Sequence, residues 1–295
     1  MTFASWLAAI RPKTLVISLA PILLSQVLVL QEICQTSRLG QGLFNISLAA
    51  LILACGLCLQ IAVNLANDYY DFKSGVDTAN RLGPDRVLVN GELSEAAIHK
   101  AYLLFLAVGI LAGLFLVLHS HAYLSLIGII CVLAVMTYSA GPLPLAYNGL
   151  GELAVFVVFG PIAILGGFYV QLGYLTTDLV SPALSMGLLA SAVMLVNNTR
   201  DISTDLKANK KTLAAYLGAR GSRYLYGLLL FMAVVLGAMS LHQPPRFSYI
   251  LLPAVFLLMW FMLRREGEEL NRQLAQTAML MLLFSITLSM DLLLD

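Results

Sequence analysis

Apolar residues fill nine stretches of this chain, at about 14–31, 45–66, 101–118, 122–140, 151–171, 182–198, 222–241, 248–263 and 275–294, with polar residues gathered between them. Each approaches the roughly 20 residues that a helix needs to cross a ~30 Å hydrocarbon core. The pattern predicts an all-α integral membrane protein, a bundle of about nine transmembrane helices forming one polytopic domain over residues 1–295. Little more than His119-Ser120-His121 separates the third stretch from the fourth, which reads as a tight helical hairpin. No small-residue cleavage site follows the first stretch, so it is expected to stay as a span.

The basic residues support this count independently. Arg11 and Lys13 precede the first stretch, and Lys73, Arg81, Arg86 and Lys100 lie between the second and third. Arg200, Lys207, Lys210, Lys211, Arg220 and Arg223 lie between the sixth and seventh, and Arg264, Arg265 and Arg272 follow the eighth. Nine crossings put all of these on one face and leave Arg38 and Arg246 on the other. The positive-inside rule makes the richer face cytoplasmic. The expected location is a bacterial inner (plasma) membrane, with the N-terminus inside and the C-terminus outside.

Composition agrees. The chain is 60% hydrophobic and 11% charged, with mean hydropathy +0.87, where a soluble domain carries about 25% charge. A net charge of +1 gives no sign of a nucleic-acid partner. Cys55 and Cys58 have the spacing of a redox or metal pair, but no second pair or nearby histidine completes it. Small residues packed in a membrane helix account for them better. His99, His119, His121 and His242 are scattered and suggest no metal site.

The candidate chemistry lies in a repeat. Asn64-Leu65-Ala66-Asn67-Asp68-Tyr69-Tyr70-Asp71 closes the second stretch, and Met194-Leu195-Val196-Asn197-Asn198-Thr199-Arg200-Asp201 closes the sixth. Both end in Asn-x-x-x-Asp, and Asp205 extends the second copy by one more helical turn. A spacing of four puts Asn67 with Asp71, and Asn197 with Asp201 and Asp205, on single helix faces. Four spans separate the copies, so both return to the cytoplasmic boundary. Hard oxygen ligands in this arrangement suit Mg²⁺, which completes its shell with water and phosphate oxygens. Carboxylates at helix C-termini also oppose the macrodipole, and a cation there offsets that. Two such faces make a site for a lipid diphosphate.

Lys73, Arg81, Arg86, Arg200, Lys207, Lys210 and Lys211 are candidates to grip phosphate oxygens. Gly75, Gly83 and Pro84 let the first cytoplasmic connection fold back as a cap over an intramembrane cavity. Asp85, Glu92 and Glu95 read better as solvated loop charges. The Gly/Pro-rich turn from Thr137 to Glu152 carries Tyr138 and Tyr147, whose rings could face a carbocation.

At these residues the chain resembles the UbiA superfamily of intramembrane aromatic prenyltransferases. The blocks are Arg11-Pro12-Lys13-Thr14-Leu15, NLANDYYDFKSGVD from Asn64 to Asp77, GPDR from Gly83 to Arg86, YSAGPLPLAYNGLGE from Tyr138 to Glu152, and NNTRDISTDLKANKKTLAAYLG from Asn197 to Gly218. The two Asp blocks look most like the branch that prenylates naphthoates. Two positions depart from the wider superfamily. Gly75 stands where many members carry a third carboxylate, and Pro142 stands where others place a lysine four residues after the tyrosine.

The resemblance implies Mg²⁺ as cofactor, a polyprenyl diphosphate donor and an aromatic acceptor, 1,4-dihydroxy-2-naphthoate in the naphthoate branch, with the attacked ring carbon losing CO₂. It implies catalytic roles for Asp71, Asp201, Asp205 and Tyr138. Asn67, Asp68, Asp77, Asn197 and Asn198 would join the three aspartates as metal ligands. Arg11, Lys73, Arg86, Arg200, Lys207, Lys210, Tyr70, Tyr147 and Asn64 would contact substrate. The prenyl tail would run among apolar residues, with no polar group expected deeper in.

Three rival readings stay open on sequence alone. A related enzyme could use a hydroxybenzoate, haem or tocopherol-type acceptor, which a panel of acceptors would separate. A transporter would place carboxylates at broken helices near the midplane rather than at one interface. A lipid-binding protein would have no need of two metal-ligand faces.

The one-sided distribution of Lys and Arg sets a topology test. Reporters fused after Lys100 and after Lys211 should both read cytoplasmic, and one fused after Asp295 should read outside. Opposite readings for the first two would separate the repeats across the membrane and end the case for a shared site.

Overall fold

The computed structural model describes residues 2–36, 43–75, 82–83, 86–122, 124–141 and 144–295. Local signals set the helix starts. Thr2 caps α1 (Phe3–Ile10), Asn45 caps α3 (Ile46–Lys73) and Ser94 caps α4 (Glu95–His119), each accepting from free N–H groups of the first turn. Pro12 opens α2 (Pro12–Thr36), where a missing N–H costs nothing. Between α1 and α2, Arg11 takes a left-handed conformation (φ 57°) and its N–H closes α1 onto the Leu7 carbonyl. The chain continues through α5 (Leu124–Thr137), α6 (Gly151–Val157), a π-helical stretch Val158–Gly166 and α7 (Gly167–Leu172). It ends with α8 (Val180–Lys207), α9 (Leu213–Met239), α10 (Leu252–Arg264) and α11 (Glu269–Leu294).

All nine apolar stretches appear as helix, but not all at full length. Among the described residues seven helical segments are long and apolar enough to cross a membrane. The fourth and eighth expected spans, α5 and α10, are shorter, at 14 and 13 residues. They measure roughly 20 Å at 1.5 Å per residue, short of a ~30 Å core. A Gly/Pro-rich turn stops α5 early, and a 3₁₀ turn, Ser248–Leu251, takes the start of the apolar run before α10. Conversely, α3 and α8 run past their apolar stretches to Lys73 and Lys207. Both repeats therefore lie inside the last turns of long helices, not in loops.

Packing divides into two main cores. One joins α2, the α6–α7 segment and α8 through α11. The other joins α1, α3, α4, α5 and the turn at Val87–Leu93. Only Ile22, Ile52 and Leu116, with a few partly buried neighbours, form a third cluster between α2, α3 and α4. Helix α8 is the axis of the first half: 72% of its most apolar window is buried, against 17% for α3. Lipid offers helices no hydrophobic drive to associate, so small residues and interhelical hydrogen bonds take over. Ser185 donates to the Ala233 carbonyl at 2.7 Å, Ser285 to Ala20 at 2.7 Å, and Ser25 to Ile164 of the π-helical stretch at 3.0 Å.

The α6–π segment and α8 approach closely at two glycines. A Cβ added at Gly160 would lie 2.6 Å from the Ala183 carbonyl oxygen, and one at Gly187 would lie 2.7 Å from that of Phe156. Gly160→Val or Gly187→Val should therefore force these helices apart, at a cost of at least about 1–3 kcal/mol. The expected readout is a clearly lowered melting temperature in detergent. A Cβ at Gly128 meets nothing within 4 Å, so Gly128→Ala should melt like the parent. Equal melting of all three would refute the contact.

Candidate active site

A cavity of about 980 Å³ runs between the two cores. The ends of α3 and α8 meet at its polar end, where Asn67, Asp68, Asp71, Asn197, Asp201 and Asp205 all line it. Below them the walls are mainly apolar, with Ile17, Ile22, Ile52, Leu59, Val63, Val193 and Met194 among them. The deeper wall is not free of polar groups, contrary to expectation. Ser18 donates to Gln60 at 3.3 Å and Gln60 to Asn64 at 3.4 Å, and all three side chains line the cavity.

Each carboxylate at the polar end already has a partner within the chain. Asp68, nearly inaccessible, accepts from both Arg11 and Arg86. Asp71 accepts from the Tyr147 hydroxyl at 2.8 Å and lies 3.9 Å from Arg86. Arg200 grips both oxygens of Asp201, at 2.8 and 2.5 Å, and reaches Asn197 Oδ1 at 3.0 Å. Lys210 stands 3.5 Å from Asp205 and also sits over the Tyr147 ring. Burial alone would lower the Lys210 pKa, but the Asp71, Asp205 and Asp201 carboxylates outweigh it and the net shift is upward. The charge that sequence reasoning assigned to a metal ion is thus met in large part by guanidinium and ammonium groups.

The remaining candidates divide between the cavity and the surface. Asn198 lines the cavity, and its amide donates to buried Glu152 at 2.9 Å. Asn64 holds the α1–α2 junction through the Ile10 carbonyl at 2.8 Å and Thr14 at 3.1 Å. Tyr70 packs on Tyr69 and Tyr102, away from the cavity walls. Lys73 is exposed and donates to the Tyr69 hydroxyl at 3.2 Å, and Lys207 is exposed at the end of α8. Tyr138 is buried, lines the cavity and donates to the Met194 sulfur at 3.6 Å. Asp77 and Arg81 lie outside the described residues, as does Pro142.

Sequence reasoning assigned no polar contact to three residues at the site. Ser139 donates to Asn67 Oδ1. Asn271, in the first turn of α11, accepts from Arg200 at 2.7 Å. Glu152 is buried against Asn198, with its second carboxylate oxygen unpaired among the described residues. Ser139 and Glu152 lay in the quoted Tyr138–Glu152 block without a repeat to single them out, and Asn271 had no signal at all.

A metal would fit here on one specific observation. Asp205 Oδ2 is buried without a hydrogen-bond partner among the described residues, leaving an acceptor that a cation beside Lys210 could satisfy. Among the described residues no three His, Cys, Asp or Glu side chains converge to hold an ion by themselves. Such an ion would need the amide oxygens of Asn67 and Asn197, water and substrate phosphates, a shell typical of Mg²⁺.

Comparison with known proteins gives a consistent result. A family model described as the UbiA prenyltransferase family matches residues 39–286. The 1,4-dihydroxy-2-naphthoate octaprenyltransferase of Haemophilus influenzae is 34% identical, over 98% of this chain and 95% of its own. That of Mycobacterium tuberculosis is 38% identical, over 80% of this chain and 77% of its own. The fold resembles a UbiA homolog from Archaeoglobus fulgidus bound to GPP and Mg²⁺, with TM-score 0.64 and 16% identity over 97% of this chain and 99% of that one.

The Arg11–Asp68–Arg86 triad supplies a stability test. Asp68→Ala strips the nearest counter-charge from two arginines and should cost roughly 3 kcal/mol, seen as a fall in melting temperature. Asp201→Asn, whose partner Arg200 keeps Asn197 and Asn271, should cost distinctly less. The reverse order would show that the triad does not hold α1 to α3.

Proposed function

The chain belongs to the UbiA prenyltransferase family, and from that premise we propose that it transfers a polyprenyl group from polyprenyl diphosphate to 1,4-dihydroxy-2-naphthoate. The product would be a demethylmenaquinone-type lipid, formed with loss of CO₂. The observation that carries this reading is the meeting of two Asn/Asp faces at the polar end of one mainly apolar cavity. The acceptor follows from the name shared by the relatives from Haemophilus influenzae and Mycobacterium tuberculosis.

The chemistry needs three things from the chain. Arg11, Arg86, Arg200 and Lys210 line the polar end and would bind the diphosphate, arginine through paired N–H groups and lysine as a point charge. Asn67, Asp71, Asn197, Asp201 and Asp205 would hold Mg²⁺, which when bound would neutralise charge developing on the departing diphosphate. As the allylic C–O bond breaks, its electron pair leaves with the diphosphate, and the apolar walls keep water from the cation. The Tyr138 ring, which lines the cavity, would stabilise that positive charge. The ring carbon bearing the carboxylate then forms the new C–C bond. Loss of CO₂ from that carbon returns the electron pair to the ring and restores its aromaticity.

In the membrane, α5 and α10 complete a nine-crossing path and the ends of α3 and α8 face the cytoplasm of a bacterial inner (plasma) membrane. The basic residues of the connections support this orientation. A cytoplasmic cap is supported by Arg86 reaching back to Asp68 and by Leu82, whose carbonyl is held by Asn271.

Purified protein given Mg²⁺, a polyprenyl diphosphate and equal amounts of 1,4-dihydroxy-2-naphthoate and 4-hydroxybenzoate should prenylate the bicyclic ring by preference. A missing second ring forfeits apolar contact worth roughly 1–3 kcal/mol. Mass spectrometry decides the outcome, since a product retaining its carboxylate, or preferential use of the benzoate, defeats this assignment. Asp71→Asn, Asp201→Asn and Asp205→Asn should each slow turnover by on the order of 10²–10³ or demand far more Mg²⁺. Exposed Asp178, at the opposite end of α8, is the control, and Asp178→Asn should leave the rate unchanged.

A further inference from the structure

Asn271 belongs to neither repeat, yet it lines the polar end of the cavity. Its Oδ1 accepts from Arg200 Nη1 at 2.7 Å, and its Nδ2 donates to the Leu82 carbonyl at 2.9 Å. Chemistry forces this orientation of the amide: a guanidinium has no acceptor to offer and a carbonyl no donor. Both partners are remote in sequence, 71 and 189 residues away.

Each partner leads to one Asn/Asp face. Arg200 is almost wholly buried and spends its Nε and Nη2 on Asp201 and Asn197, so Asn271 fixes the remaining arm of the fork. Leu82 precedes Arg86 by four residues, and Arg86 bonds Asp68 and approaches Asp71. One amide on a third helix therefore links the arginine of the second face to the segment that carries an arginine to the first.

We infer that Asn271 is a positioning residue, setting the spacing between Arg200 and Arg86 across which a prenyl diphosphate is held. The inference rests on the diphosphate-binding role proposed for those arginines. A rigid spacing matters because reacting groups must be held close to their productive geometry before the bond breaks.

Two substitutions separate the two bonds of the amide. Asn271→Ala loses both. Asn271→Asp is nearly the same shape and still accepts from Arg200, but cannot donate to Leu82. In full-length protein without substrate, hydrogen exchange should be read at the amides of Asn90, Glu92 and Leu93, which bond within the turn that follows Arg86. Exchange there should accelerate roughly tenfold in both variants, the scale of one lost hydrogen bond to a strong partner. Melting temperatures should stay near the parent value, since the side chain is only half-buried.

In steady-state assays KM for the prenyl diphosphate should rise about tenfold in Asn271→Ala while kcat falls less. It should rise further in Asn271→Asp, where a carboxylate adds repulsion. Unchanged exchange at Asn90, Glu92 and Leu93 in both variants, or an unchanged KM in Asn271→Ala, would overturn the inference. Exchange requires no turnover, so failure of the acceptor assignment shows separately, as a parent protein inactive on 1,4-dihydroxy-2-naphthoate whose variants still differ in exchange.

Discussion

Everything at the polar end of this molecule depends on compensating carboxylate charge where water is scarce. Asp68, Asp71, Asp201 and Asp205 sit within the last turns of two long helices, where the backbone itself presents partial negative charge. An unpaired charge buried there would be expensive. Arg11, Arg86, Arg200 and Lys210 offset it, and the first two also reinforce the core that α1, α3 and the Val87–Leu93 turn share. The Arg11 pairing fastens α1 to the end of α3. The Arg86 pairing fastens the residue before the Val87–Leu93 turn to the end of α3. On the proposed function, substrate binding would be an exchange of partners, in which arginines that neutralise carboxylates turn toward phosphate oxygens.

The sequence made the carriers of this chemistry visible where it repeated them. Asn67 with Asp71, and Asn197 with Asp201 and Asp205, stood out because a spacing of four recurs after two apolar runs, and the cavity is lined by all five. The identities of their partners were not visible. Asp68 meets an arginine 57 residues away, a contact that depends on how α1 folds against α3 and leaves no local trace. Asn271 and Ser139 occur once each, in segments without a periodic signal. The partner of Asn198 was equally hidden, since one residue along a helix is a rotation of about 100°, and its amide meets Glu152.

Helix existence was likewise easier to read than helix length. Apolar composition marks the long helices, but it cannot tell where a Gly/Pro turn or a 3₁₀ turn will stop one. That is why α5 and α10 come out short while α3 and α8 continue beyond their apolar runs. The close contact of Gly160 and Gly187 has the same character. Small residues allow two backbones to approach, but which pair meets is settled only when the helices cross.

The thin seam between the two cores has a consequence for selectivity. Ile22, Ile52 and Leu116 form the buried part of the third cluster, and in a bilayer their contacts compete with acyl chains that solvate apolar side chains about equally well. Parting the seam exchanges one hydrocarbon surface for another at small cost. On the proposed function, a membrane phospholipid and an isoprenoid donor would present nearly equivalent tails to this wall. Discrimination would then fall to the headgroup, and the arginine–carboxylate end would have to choose a diphosphate over the single phosphates of surrounding phospholipids.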